Sequence, residues 1–337
     1  MRVLLIKQTS LGDVLHSTAQ VRAIRQEFPN CRITLLTSTT AHDIYKYNPH
    51  LNKIILFDRY GIKRNWLNHP IQTIKHIFRT IQEVRVEKYD LAIDLQGRWK
   101  TIIFLWSARA ERRLVKGRWW FVENFHNPSM HALEEMNGLI QSAGLGSGGF
   151  EMEFFTSKRE RIRVDQLINE NQLNNRRWIL CCPISRWPTK NWPLEKFLFL
   201  LEKLAPDIIL IFMGDSIDKE LISSELKVIE EDRFLNLAGS LSLPEFSEFV
   251  SRAPAILTMD SFALHVAAAN NRPTVALFGP TDESKIGPFS NKTIFVRAKQ
   301  INCTRCYRRI NCSKFCIRHI SPDDVYEALQ QVTQNFF

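Results

Sequence analysis

Apolar residues along this chain fall into two repeating arrangements, short unbroken runs and stretches in which they recur every three or four positions. The first reads as buried strand and the second as amphipathic helix. Val3 to Ile6 is such a run, Val14, Thr18, Val21, Ile24 and Phe28 then mark a helical face, and Ile33 to Leu36 is the next run. Further strands are predicted at Lys53 to Phe57, Tyr89 to Leu95 and Arg112 to Val115, with Ile71, Ile74, Phe78, Ile81 and Val84 on one face of an intervening helix. This alternation predicts a parallel, doubly wound sheet.

After a polar, Asn-rich stretch from Asn169 to Arg177 a second series begins. Its strands are predicted at Trp178 to Cys182, Asp207 to Met213, Ala255 to Met259 and Thr274 to Phe278. Pro193 stands where a helix can start, and Leu194, Phe197, Leu198, Leu201 and Leu204 give that helix its apolar face. A chain of 337 residues is longer than one core usually serves. Two α/β domains are therefore expected, 1–160 and 161–321, with 322–337 a terminal helix packing back on the first. Doubly wound domains bind ligands beyond the carboxyl ends of their strands, and a cleft between two of them suits two substrates.

Charge narrows the partners. A net charge of +10 favours something anionic: nucleic acid, an acidic membrane surface or a phosphorylated small molecule. Neither zinc-finger spacing with paired His nor an aromatic-rich RNA-binding signature is present, so nucleic acid is not an expected partner. The apolar run at the N-terminus is too short for a signal-peptide core, and no later stretch has the length of a membrane span. The expected location is the cytoplasm, with peripheral contact at the cytoplasmic face of the inner membrane.

One motif misleads. Gly144-Leu145-Gly146-Ser147-Gly148-Gly149 satisfies the dinucleotide fingerprint, which requires a strand before the glycines and a helix after them. Here His131 to Ala143 reads as helix and Phe150 to Phe154 alternates like a strand, so the glycines end a helix and begin a connection. A nicotinamide-dependent oxidoreductase would rest on this run alone.

Candidate chemistry begins at the first strand-to-helix turn, Lys7-Gln8-Thr9-Ser10-Leu11-Gly12-Asp13. Gly12 permits a tight backbone path, and Asp13 lies at the mouth of a helix, where a carboxylate is stabilised. Asp13 is either a cap of that helix or a base facing the cleft. In the second series, Ser185-Arg186-Trp187-Pro188-Thr189-Lys190-Asn191-Trp192-Pro193 links a strand to a helix. Free N–H groups and the Lys190 ammonium would cradle a diphosphate there, a surface lysine being the plainer alternative. Asp260-Ser261-Phe262-Ala263-Leu264-His265 again follows a strand, with Asp260 an N-cap or a ligand for hydroxyls and His265 a packed helix residue or part of the same site.

These segments, together with Tyr89-Asp90-Leu91-Ala92-Ile93-Asp94-Leu95-Gln96-Gly97, Lys100 and His131-Ala132-Leu133-Glu134, resemble in order the motifs of the lipopolysaccharide heptosyltransferases, glycosyltransferase family 9. The resemblance implies a GT-B fold, two Rossmann-like doubly wound domains facing a central cleft. It implies inverting, metal-independent transfer of heptose from ADP-heptose, or another nucleotide-sugar, to the inner core of lipopolysaccharide. Asp13 would be the base and Lys190 would stabilise the leaving diphosphate. Ser10, Gly12, Lys100 and Arg118 would bind the acceptor, and Ser185, Lys190, Leu241, Asp260, Ser261, Phe262 and His265 the donor. Two positions depart from the family, which usually has Pro near Ala19 and a small Gly near Phe262. A ring at Phe262 would reshape the sugar pocket. The alternatives are a related heptosyltransferase acting on a protein, and a nucleotide-sugar-binding homologue with altered donor or lost activity.

Seven cysteines in a chain without a secretion signal argue against a disulfide framework. Cys303, Cys306, Cys312 and Cys316 lie together among arginines and lysines. Four thiolates suit a structural zinc or iron, with reduced thiols as the alternative. The same cations would attract acceptor phosphates or a membrane surface.

Overall fold

The computed structural model of the chain describes residues 1–58, 61, 69–226, 233–301 and 305–333. It divides into two units, Met1–Phe155 and Thr156–Phe337. In the first, six parallel strands lie in the order β3-β2-β1-β4-β5-β6. They are β1 (Arg2–Ile6), β2 (Arg32–Ser38), β3 (Lys53–Phe57), β4 (Lys88–Asp94), β5 (Arg109–Lys116) and β6 (Glu123–Phe125). Val3, Leu4, Leu5 and Ile6 are all buried because helices cover both sheet faces, which is why β1 reads as a continuous apolar run.

The second unit holds β7 (Arg177–Cys182), β8 (Ile208–Phe212), β9 (Phe234–Asn236), β10 (Ile256–Met259), β11 (Thr274–Leu277) and β12 (Thr293–Val296). Their order, β12-β11-β10-β7-β8-β9, is the first arrangement read from the other edge. Both sheets are therefore Rossmann-like. In each, the direction of winding reverses beside the unit's own first strand, between β1 and β4 and between β7 and β10, and such reversals open the crevices where ligands bind.

Several sequence expectations need correcting. The single helix expected from Val14 to Phe28 is two, Leu11–His16 and Thr18–Glu27. They part at Ser17, whose Oγ donates back to the Val14 carbonyl at 2.7 Å and lies 2.7 Å from Tyr45 Oη. Helix Pro70–Arg85 buries Thr73, Thr80 and Val84 and packs Ile77 and Ile81 on the core, whereas Ile71, Ile74 and Phe78, expected inside, face outward. The helix carries two apolar stripes, and periodicity alone does not say which one is covered.

Residues 150–154 form no strand; the Glu153 N–H donates to Thr18 Oγ1 at 2.9 Å rather than to a neighbouring strand. Gly144 follows helix Ala132–Ser142 with φ +83°, the left-handed turn that ends a helix, so the glycine run is a helix terminus. The helix expected at Pro193 starts at Glu195. The terminal helix Pro322–Thr333 packs in the second unit. Its Val325, Ala328 and Leu329 complete the second unit's core beside Trp192, Val275 and Leu277. Among the described residues no helix is long and apolar enough to cross a membrane.

Candidate active site

In the first unit the site grows from the ends of β1 and β4, which pair side by side with Ile6 opposite Asp94. Beyond β1 the chain turns through Lys7 to Ser10 and enters helix Leu11–His16. The Ser10 N–H and Oγ both donate to Asp13 Oδ2, at 3.0 and 2.8 Å. Asp13 thus does cap the helix, and it remains only partly buried while Gly12 is enclosed in the first turn.

The loop after β4 braces this turn. Gln96 Oε1 accepts from the Gln8 and Thr9 N–H groups at 3.3 and 3.0 Å, and Asp94 Oδ1 accepts from the Gln96 and Gly97 N–H groups at 2.8 and 3.1 Å. Gly97 has φ +63°, and a Cβ there would stand 1.7 Å from the Lys116 carbonyl oxygen, so no other residue fits.

The charges beneath the turn act on one another. Burial pulls the Lys7 ammonium down to about 8, against the pull of Asp13; its Nζ lies 3.4 Å from the Leu95 carbonyl. Burial alone would raise Asp13. The Lys7 charge, His16 and the Ser10 hydrogen bonds together outweigh it and hold the carboxyl well below the usual carboxylate range. Glu135, missed in the sequence, takes Lys116 Nζ at 2.8 Å and lies 3.0 Å from His126 Nδ1.

Asp94 is the opposite case, since burial lifts it to about 6 despite bonds from Thr101, Gly97 and Gln96. Its folded value exceeds its unfolded one, so its contribution to stability is complete below the unfolded value near pH ~4 and is lost as pH rises through about 6. The wild type is expected to lose about 3 kcal/mol from this group across that window. Asp94→Asn should flatten the slope; urea unfolding at a series of pH values that gave both proteins the same slope would refute the assignment.

The remaining acceptor-side candidates stand apart from this network. Lys100 lies over the Trp99 ring, 5.1 Å from its centroid, and Arg118 is exposed beyond β5. Among the described residues neither is joined to Asp13 by a hydrogen bond or ion pair.

In the second unit the loop after β7 is folded by its own polar groups. The Ser185 N–H donates to Asn191 Oδ1 at 2.8 Å, the Trp187 N–H to Ser185 Oγ at 3.2 Å, and Pro188–Lys190 makes a short 3₁₀ turn. That turn swings Lys190 inward. Its Nζ meets Asp260 Oδ2 at 2.5 Å, just beyond β10, and the Thr281 hydroxyl donates to the same oxygen at 2.5 Å. All three residues are buried.

Asp260 is therefore not the helix cap. Ser261 occupies that position ahead of helix Phe262–Ala269, leaving Asp260 turned toward Lys190. Phe262, first in the helix, is half-buried, and His265 is buried one turn on. Leu241 is half-buried in the turn before helix Leu243–Arg252 and is not part of the Lys190–Asp260 pair.

The partners around this group reach beyond the quoted motifs. Thr281 lies in a loop held by Arg297, which donates to the Gly279 and Thr281 carbonyls at 2.7 and 2.8 Å. The Trp187 ring meets two cations, with Lys190 Nζ 4.3 Å and the Arg309 guanidinium 4.7 Å from its centroid. The Thr189 hydroxyl, donating to the Arg308 carbonyl at 2.6 Å, fixes Arg309 there. Asp260 and Arg309 lie far apart in sequence, and the loop after β7 joins their neighbourhoods through Lys190 on one and Trp187 and Thr189 on the other.

The cysteine segment is less complete. Cys312 and Cys316 are buried and Cys306 half-buried, while Cys303 lies outside the described residues. Among the described residues no three His, Cys, Asp or Glu side chains form a group fit to hold a metal ion, so Cys306, Cys312 and Cys316 do not by themselves make the zinc or iron site.

Comparison with known proteins bears on the family and the fold. Lipopolysaccharide heptosyltransferase 3 of Escherichia coli is 24% identical over 305 residues, covering 84% of this chain and 85% of the relative. A family 9 glycosyltransferase from Veillonella parvula superposes with a TM-score of 0.83 at 20% identity, covering 99% of this chain and 97% of that one. E. coli ADP-heptose lps heptosyltransferase II gives 0.74 at 22% identity with 99% of each chain covered. Residues 77–316 match the profile of glycosyltransferase family 9 (heptosyltransferase), and the chain is a glycosyltransferase belonging to that family.

Proposed function

We propose that the chain transfers heptose from ADP-heptose, with inversion at the anomeric carbon, to a sugar of the lipopolysaccharide inner core. The observation that carries this reading is the buried Lys190–Asp260–Thr281 group at the winding reversal of the second unit. It offers an ammonium for a diphosphate and a carboxylate for sugar hydroxyls at one point. The names of the heptosyltransferase relatives support the choice of heptose, lipopolysaccharide and, for one of them, ADP-heptose.

In this reaction the acceptor hydroxyl oxygen attacks the anomeric carbon, the bond from that carbon to the diphosphate oxygen breaks, and the electron pair leaves with ADP. Asp13 accepts the hydroxyl proton. Both Ser10 bonds fall on Oδ2, and Oδ1 receives the proton. The depressed value of Asp13 keeps it ionised at neutral pH, and it takes the proton as the hydroxyl grows acidic on bonding to carbon. Lys190, with Arg309 against the same Trp187 ring, offsets the charge that develops on ADP.

Phe262 is the residue on which donor choice turns. Incubation with ADP-, UDP- and GDP-linked heptoses and hexoses, each with truncated core acceptors or a protein acceptor, is expected to yield a heptosylated core only with ADP-heptose. A preferred hexose donor, a glycosylated protein, or donor hydrolysis without transfer would each overturn the reading.

A further inference from the structure

The outward faces of the first unit carry an apolar surface that the transfer reaction does not use. Helix Pro70–Arg85 and helix Trp99–Ser107 pack side by side over the same core cluster, on one face of the sheet. Ile71, Ile74 and Phe78 point outward from the first helix, and Trp99, Ile103 and Trp106 from the second, each set at helical spacing. The loop after β5 adds to it, since Trp106 and Trp120 both meet the Phe121 ring edge-on, at 5.3 and 5.4 Å between centroids. Trp99 is 70% exposed, Trp106 63% and Trp120 94%. Three tryptophans so bare in one region are not an ordinary scatter of surface apolar residues.

The charges among them have one sign. Residues 69–82, 95–110 and 116–122 contain no Asp or Glu, while Lys75, Arg79, Arg98, Lys100 and Arg118 are interspersed with the apolar groups. Tryptophan and isoleucine interleaved with cations match the boundary between acyl chains and anionic head groups, where rings sit at head-group depth and cations meet phosphates. A second copy of the chain fits poorly, because a two-fold contact would set these cations against themselves with no acidic residue to receive them.

We propose that this surface docks the protein on a bilayer containing anionic lipid. It is separate from the basic cysteine segment, where charge alone had suggested membrane contact, and binding needs neither donor nor acceptor.

The test uses the full-length chain and vesicles of phosphatidylethanolamine with phosphatidylglycerol, compared with pure phosphatidylcholine. Flotation is expected to show binding to the anionic vesicles, weakened by salt. The variant W106S/W120S is expected to weaken it roughly tenfold or more, and K75S/R79S to remove much of its salt dependence. A measurement free of any variant is hydrogen exchange of the wild type, with vesicles expected to protect 70–82 and 99–122. Four results would overturn the proposal: no binding to anionic vesicles, binding that both variants retain in full, protection confined to 305–318, or tryptophan substitutions that dissociate an oligomer and leave vesicle binding unchanged.

Discussion

Replacing Asp13 with Asn is expected to lower kcat/KM for sugar transfer by about 10²- to 10⁴-fold, ~3 to 5 kcal/mol of barrier, while donor binding is retained. Asn keeps an oxygen to accept from the Ser10 N–H, so the helix cap at 3.0 Å survives, and what disappears is the negative charge beside Lys7. Cap and base are thereby separable. Ser10→Ala removes the 2.8 Å hydroxyl bond and leaves the carboxylate, so it should cost about 0.5 to 2 kcal/mol of stability with a smaller loss of rate. Single-turnover transfer with mass readout and calorimetric titration of donor distinguish the two. An Asp13→Asn enzyme within threefold of the wild type would remove Asp13 from the chemistry.

Lys190→Met is expected to be the most damaging single change in the second unit, destabilising it by about 3 to 5 kcal/mol and weakening donor binding at least tenfold. The reason is the charge left behind. Asp260 is buried, and without the ammonium at 2.5 Å the Thr281 hydroxyl is, among the described residues, the one hydrogen-bond partner left to its Oδ2. Adding Asp260→Asn keeps an acceptor for Thr281 and removes the orphaned charge, so the double variant should recover roughly 2 kcal/mol while donor binding stays lost. Urea unfolding and donor titration of the two single variants and the double variant test this. Strictly additive stability losses would mean that the two side chains do not act as a pair.

Much of the fold was legible because parallel strands covered on both faces announce themselves as apolar runs, as Val3–Ile6 and Ile208–Phe212 do. Faces were harder to read than elements. Helix Pro70–Arg85 has apolar residues on two stripes, and only packing shows that Ile77, Ile81 and Val84 are inside while Ile71, Ile74 and Phe78 are not. Ser17 broke a periodic helix through a side-chain bond that no periodicity records.

The site divides in the same way. Asp13, Lys190 and Asp260 lay inside quotable motifs, as did Lys7, Ser10 and Asp94, but the motifs did not show which of these side chains act on one another. Lys7 and Asp94 carried a faint signal, each being a charged residue at the end of an otherwise buried strand, where an unpaired charge is costly. Thr281 carried none, and Arg309 showed only as one cation of the cysteine segment, because their relation to Asp260 and Trp187 comes from contacts across separate loops.

The repeated strand order has a consequence for how such a protein can change over generations. Lys190, Asp260 and Thr281 all sit on loops after β7, β10 and β11, and no strand interior contributes to them. Packing constrains the strands, where almost any substitution leaves a cavity or a clash, and it holds the buried Lys190–Asp260–Thr281 group, but it leaves the rest of these loops comparatively free. On the proposed function, a lineage would drift from one sugar to another by altering three short segments of one unit, with both sheets and the Asp13 turn inherited intact. Phe262, next to Ser261 at the mouth of its helix, stands where such a drift would first show.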